Sequence, residues 1–127
     1  HIRDWLYVQD HAEGILNVIK NGKIGETYNI GGNTEITNLE VVRLICQALN
    51  KLSIENNTGA FKYEELITFV KDRPGHDNRY ALDTAKIKKD LGWKPKTKFL
   101  NGLENTVRWY SANLSWVDFV VNKKRSA

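Results

Sequence analysis

The chain has 127 residues, of which 41% are apolar and 27% charged, with a net charge of +4. That is enough for one domain with a modest core, in the composition range of soluble globular proteins. The positive charge leans toward anionic partners, but the lysines are scattered, and the one basic cluster, Lys123-Lys124-Arg125, reads as a frayed tail and not as a nucleic-acid surface.

The single cysteine, Cys46, leaves no internal disulfide and fits a reducing, cytoplasmic setting. No apolar run reaches the ~20 residues that span a bilayer, and no signal peptide is visible. Asn56-Asn57-Thr58 and Asn113-Leu114-Ser115 match the glycosylation pattern, but nothing else suggests secretion. The chain starts at His1 and has no methionine. It enters at once into what reads as the middle of a folded unit, so a fragment is expected.

In chain order, Ile2 to Val8 is rich in aromatic and branched residues and predicts a strand. Asp10 with Glu13 has capping-box spacing, and Ala12, Ile15, Leu16 and Ile19 follow at helical period, so residues 10–21 form a helix ending before Gly22. Gly25 to Gly32 reads as a short strand closed by a glycine pair, for a tight turn or a close backbone approach to a ligand. It lacks the Gly-x-Gly-x-x-Gly spacing of a dinucleotide fingerprint. Thr37 with Glu40 forms a second capping box, opening a helix to about Lys51. Asn38 falls in its first turn, where free N–H groups favour anions and where an amide can also be a mere capping helper.

Residues 53–59 read as a loop and 61–65 as a short helical turn. Leu66 to Val70 reads as a strand, and Arg79 to Leu82 as a brief extended segment. Asp83 caps a short helix through Leu91, stopped by Gly92 and by Trp93-Lys94-Pro95 with an aromatic anchor. A last amphipathic helix spans 99–113, with Leu100, Leu103, Val107 and Tyr110 on one face, and Trp116, Phe119 and Val120 keep the end packed. Alternating strands and helices indicate α/β, with few short strands and flanking helices.

The chemistry concentrates in Asp72-Arg73-Pro74-Gly75-His76-Asp77, followed by Arg79. Pro74 fixes its φ and Gly75 permits a positive one, so the chain turns there. Two arginines and a histidine on a rigid turn can grip a small anion, since the guanidinium fork matches two phosphate oxygens. The same residues can also form a solvated polar loop with local Asp–Arg pairs. No nucleophile has an evident base, and His1, His11 and His76 lack metal-ligand spacing, so neither a catalytic residue nor a metal site is assigned. What remains is binding chemistry, with Arg3, Arg73 and Arg79 suited to a pyrophosphate.

Four stretches, His1-Ile2-Arg3-Asp4-Trp5-Leu6-Tyr7-Val8 with Asp10-His11, Tyr28-Asn29-Ile30-Gly31-Gly32, Asp72 to Asp77 with Arg79-Tyr80-Ala81, and Gly92-Trp93-Lys94-Pro95, occur in the order of the extended short-chain dehydrogenase/reductases. They resemble the C-terminal portion of the dTDP-glucose 4,6-dehydratases in that family, over nearly the whole chain. The resemblance implies a single C-terminal substrate-binding portion, residues 1–127, of an NAD-dependent enzyme. That family turns dTDP-glucose into dTDP-4-keto-6-deoxyglucose and water, on the way to rhamnose and other deoxysugars. It further implies that Arg3 meets the nucleotide diphosphate and Asn38 the nucleotide-sugar. Asp72, Arg73, Pro74, Gly75 and His76 would line the nucleotide end, with Arg79 nearby; Asn78 stands where several relatives carry a basic residue.

The family's glycine-rich NAD loop, its Tyr-x-x-x-Lys pair and its Asp-Glu elimination pair are absent from this sequence. The chain alone is therefore expected to bind poorly, if at all, to hold no NAD and to be inactive. The parent enzyme is expected to be a homodimer, and the fragment to self-associate through exposed apolar surface. Two other readings stand beside this one: part of another nucleotide-sugar epimerase or decarboxylase, and a non-catalytic binding or interaction module.

Overall fold

The computed structural model describes residues 1–59 and 61–125. The tail cluster Lys123-Lys124-Arg125 lies outside the residues whose side chains are described. The chain is mostly helical around one small sheet. Strand β1 (Ile2–Asp4) precedes helix α1 (Val8–Asn21), and strand β2 (Glu35–Thr37) runs directly into helix α2 (Asn38–Glu55). A 3-10 turn (Tyr63–Leu66) follows, then α3 (Ala85–Leu91), α4 (Phe99–Ala112) and α5 (Leu114–Arg125). The α/β class holds, with few short strands and flanking helices.

β1 and β2 pair antiparallel, Ile2 opposite Thr37 and Asp4 opposite Glu35. On its other edge Ile2 bridges Arg79 in parallel: its N–H donates to Asn78 O at 2.7 Å, and its carbonyl accepts from Tyr80 N–H at 3.1 Å. β1 is thus a three-residue hub between the start of α2 and the charged turn. Val41, Cys46, Ile87, Trp93 and Val107 form the buried apolar centre, and burial pushes the Cys46 thiol above its usual range.

Several elements differ from expectation. The first strand stops at Asp4 because α1 begins at Val8, with Tyr7 as its N-cap. Asp10 is therefore not a cap. It is buried inside the helix, 3% exposed, and its Oδ2 accepts from the Thr97 N–H at 2.9 Å, while Glu13 pairs with Lys96 at 2.8 Å. Both acids of the supposed capping box reach across to residues 96–97, where a tertiary partner replaces a local one.

Residues 25–32 form no strand. Their polar groups are taken by side chains and distant loops: Asn29 donates to Asp83 O at 3.1 Å, and Gly32 N–H to Asp4 Oδ2 at 2.9 Å. Thr34 N–H adds a bond to Asp4 Oδ1 at 2.8 Å. The glycine pair serves a close approach to protein: a Cβ on Gly32 would stand 1.8 Å from Trp5 O.

The apolar run 66–70 is not a strand either. Phe69 and Val70 are 82% and 86% exposed, and no described segment pairs with them. Apolar content alone does not make a strand without a neighbour. β2, in turn, was not expected from the sequence.

Three local signals hold. Thr37 Oγ1 accepts from Glu40 N–H at 3.2 Å at the head of α2, which runs on to Glu55. Asp83 Oδ1 accepts from Ala85 N–H at 2.8 Å, and α3 ends at Gly92 with Trp93 buried beyond it. In α4 the contact centres on Gly102 and Val107, because the Tyr7 ring rests on Gly102, and Leu100 and Tyr110 stay exposed. Trp116 of α5 packs edge-on against Trp109, ring centres 5.1 Å apart.

Candidate functional site

β1 and the charged turn meet in one cluster of polar side chains. In a strand, residues two apart share a face, so His1 and Arg3 both point toward the turn. Arg3 Nη2 donates to His76 Nε2 at 2.8 Å and to Asp77 O at 3.2 Å. The guanidinium lies over the Tyr80 ring, 4.4 Å from its centre, a cation–π contact that fixes its plane. On the far side of His76, Nδ1 donates to Asp72 Oδ1 at 2.7 Å.

His1 completes the arrangement. Its Nε2 lies 2.7 Å from Asp72 Oδ2 and its Nδ1 3.1 Å from Asp77 O, and its ring stacks on His76 with centres 4.3 Å apart. Its carbonyl accepts from Asn38 N–H at 2.9 Å, which ties the first residue of α2 to the same corner. Pro74 and Gly75 close the turn, Gly75 at φ +68°.

The hydrogen-bond partners fix ring protons. A guanidinium only donates, so His76 Nε2 must accept, and the proton sits on Nδ1 toward Asp72. His1 faces an acceptor with each nitrogen, which suits the doubly protonated ring. The hydrogen bond from His76, helped by the Arg73 N–H, holds the Asp72 carboxyl below the usual carboxylate range. Its bond to Asp77 raises the Tyr80 hydroxyl above its usual range.

Of the expected binding residues, Arg3, Asp72 and His76 come together directly, Pro74 and Gly75 shape their turn, and Asn38 joins through its backbone. Arg73 is exposed beside them, with its N–H bound to Asp72 Oδ1 at 2.8 Å. Arg79 faces elsewhere: its guanidinium makes a two-point pair with Glu35 of β2 at 2.5 and 2.7 Å. The three arginines therefore do not converge on one point. His1 and Tyr80 belong to the cluster and were missed; the i, i+2 spacing of His1 and Arg3 on one strand face was the available signal.

Asp72, His1 and His76 bring their ligand atoms within 4.8 Å of one another, close enough to suggest a metal. The chemistry of the donors argues against it. A metal-bound histidine normally donates its other N–H to an acceptor, whereas His76 Nε2 meets a guanidinium. A cation would also sit beside the Arg3 charge.

A cleft of about 630 Å³ lies between Trp5, Tyr7, Val41, Phe99, Leu103, Trp109 and Trp116. No charged residue lines it, so it does not suit a diphosphate. The residues do not fit a dinucleotide either: the glycine pair that could cradle phosphate is packed against Trp5 and Asp4.

With the geometry established, comparison with known proteins is informative. Residues 1–106 match the family model described as GDP-mannose 4,6 dehydratase. A dTDP-glucose 4,6-dehydratase of Neisseria meningitidis serogroup B is 54% identical over 121 residues, 95% of this chain and 34% of that protein. One from Escherichia coli K12 is 51% identical over 119 residues, 94% of this chain and 32% of that protein. The crystal structure of a Bacillus anthracis dTDP-glucose 4,6-dehydratase in complex with NAD is 44% identical with a TM-score of 0.75, over 91% of this chain and 33% of that one. A Streptomyces venezuelae dTDP-glucose 4,6-dehydratase, solved with NAD and a second ligand, superposes with a TM-score of 0.77 at 40% identity over the same shares. The chain spans about a third of the length of the curated relatives it matches.

Proposed function

We propose a function from one premise: the chain belongs to the family whose model is described as GDP-mannose 4,6 dehydratase. On this reading, residues 1–127 are the C-terminal nucleotide-sugar-binding portion of a dTDP-glucose 4,6-dehydratase, a cytoplasmic, NAD-dependent lyase that works as a homodimer. The parent removes water from dTDP-glucose to give dTDP-4-keto-6-deoxyglucose. NAD would supply the hydride chemistry from the rest of the parent; this chain's residues hold the nucleotide end and take no part in oxidation or elimination.

The observation that carries the reading is the meeting of half-buried Arg3 and His76, 73 positions apart, at 2.8 Å on the turn that carries exposed Arg73. Arg3 is the diphosphate partner, pre-oriented by Tyr80. His76 and Arg73 add donors, Asp72 holds His76 in place, and Pro74-Gly75 keep the turn rigid. Asn38, tied to the same corner by its backbone N–H, contacts the nucleotide-sugar on this reading. Arg79 is held by Glu35 and reaches an anion only by leaving that pair. The identity of 51–54% with dTDP-glucose enzymes favours dTDP over the GDP of the family model's description.

Two measurements test the reading. Ligand-observed NMR on this chain should show dTDP-glucose binding more tightly than UDP-glucose, with Arg3→Ala weakening it by about 1.5–3 kcal/mol, the range for hydrogen bonds to charged groups. Equal, unspecific signals for both sugars, unchanged in the variant, would remove the assignment. Incubated with NAD and dTDP-glucose, the purified chain should form no 4-keto sugar; its formation would show chemistry that this reading places elsewhere.

A further inference from the structure

In the ligand-free chain Arg3 is engaged by the protein itself: Nη1 donates to Ile2 O at 2.7 Å, and Nη2 to Asp77 O at 3.2 Å and, at 2.8 Å, to His76 Nε2. That contact exists only while Nε2 carries no proton. A proton there would place two donors and two positive charges against each other at 2.8 Å. A phosphate oxygen has the opposite requirement: it accepts from both groups. An anion entering at Arg3 therefore gains most when His76 carries a proton on each nitrogen, Nδ1–H to Asp72 and Nε2–H to the anion.

We infer that binding of a diphosphate at this corner takes up one proton, which lands on His76 Nε2. This rests on the reading of the corner as the diphosphate site. The contact between Arg3 and His76 breaks, Arg3 turns to the anion, and the added N–H becomes a second donor beside it. The groups facing His76 support the change. Asp72, of the same turn, stabilises the extra charge through its bond to Nδ1. His1, stacked on the ring from the segment before β1, opposes it when itself protonated, but the Asp72 and Asp77 oxygens already oppose the charge of His1. Arg3 from β1 opposes it until the anion intervenes. The carboxylate of Asp77 is engaged by Tyr80 OH at 2.5 Å. From α2 the nearest contribution is the Asn38 N–H, bound to His1 O, which is uncharged.

The consequence is that affinity for the anion falls as pH rises through the histidine range, by at most tenfold per pH unit for one proton. The probe must not titrate there itself. A terminal phosphate does, with a second ionisation near ~6, whereas a diphosphate esterified at both ends does not. dTDP-glucose is therefore the right probe and dTDP the wrong one.

The decisive measurement follows the ring nitrogens of His76 by 15N NMR in this chain, near pH ~7 where histidine is poised. The free chain should show a neutral ring protonated at Nδ1. Saturating dTDP-glucose should convert it to the doubly protonated ring and leave His11 unchanged. A free ring protonated at Nε2 would overturn the inference without any ligand. Binding that shifts Arg3 signals but leaves His76 neutral would overturn it while the site assignment stands. No shift at Arg3, Arg73 or His76 at any ligand concentration would remove both. As a second arm, His76→Gln keeps a neutral donor and cannot take the proton. Its affinity should be independent of pH, and an undiminished pH slope would place the proton elsewhere and refute the inference.

Discussion

Asp10 and Asp72 are the same side chain put to opposite uses. Asp10 is buried in α1 and fastens the Thr97 N–H. Asp72 stands on an exposed turn and divides its two oxygens between two histidines. The first joins pieces of scaffold that do not exchange partners. The second holds groups that can. The contrast teaches that burial, more than the count of hydrogen bonds, decides whether a carboxylate acts as architecture or as part of a responsive surface.

Substitutions should separate the two regions by magnitude. The largest loss belongs to the buried scaffold: Ile87, fully buried in α3, should cost about 2–5 kcal/mol when changed to Ala, read by urea unfolding. Asp10→Ala should follow at about 1–3 kcal/mol, because it removes the acceptor of a half-buried N–H, and Asp10→Asn, which keeps an acceptor, should cost less. If Asp72→Asn proves as costly as Asp10→Ala near neutral pH, the contrast is broken.

The distinctive mark of Asp72 should be its pH dependence. Its carboxyl is held low by the His76 bond, so the folded state favours the ionised form. Its contribution is therefore complete above the ordinary carboxylate range and is lost as pH falls through the depressed value. Thermal midpoints measured from neutral to acid pH should fall less steeply in Asp72→Asn than in the parent chain. Smallest of all, Glu35→Gln should leave the midpoint unchanged at physiological salt. The Arg79 pair is exposed and screened, although it lowers the Glu35 carboxyl and raises the Arg79 guanidinium.

What could be read from the sequence was what is local. The Thr37 half of its box with Glu40, the Asp83 bond to the first N–H of α3 (whose N-cap is Thr84), Gly92 after that helix and the Pro74-Gly75 turn depend on neighbours within four positions, and each is found. Asp10 with Glu13 has the same local spelling as Thr37 with Glu40, yet partners 83 and 87 positions away claim both acids. The run 66–70 has strand composition but no neighbour, and β2, with an unremarkable Glu35-Ile36-Thr37, is a strand because β1 lies beside it. At the site, family likeness pointed to Arg3, Asp72 and His76. It could not reveal that Arg79 is turned to Glu35 or that His1 stacks on His76, since both depend on segments that only the fold brings together.

The position of β1 bears on how the molecule assembles. Ile2 of β1 bonds to Asn78 and Tyr80, so the long stretch between them must be in place before this seam can shut. Closing so long a loop costs entropy that only the finished contacts repay. The seam should therefore zip last during folding and open first in the native state. Amide exchange would show it as a fast-exchanging border around Ile2 and Tyr80, while the interior amides of α1 and α2 remain protected.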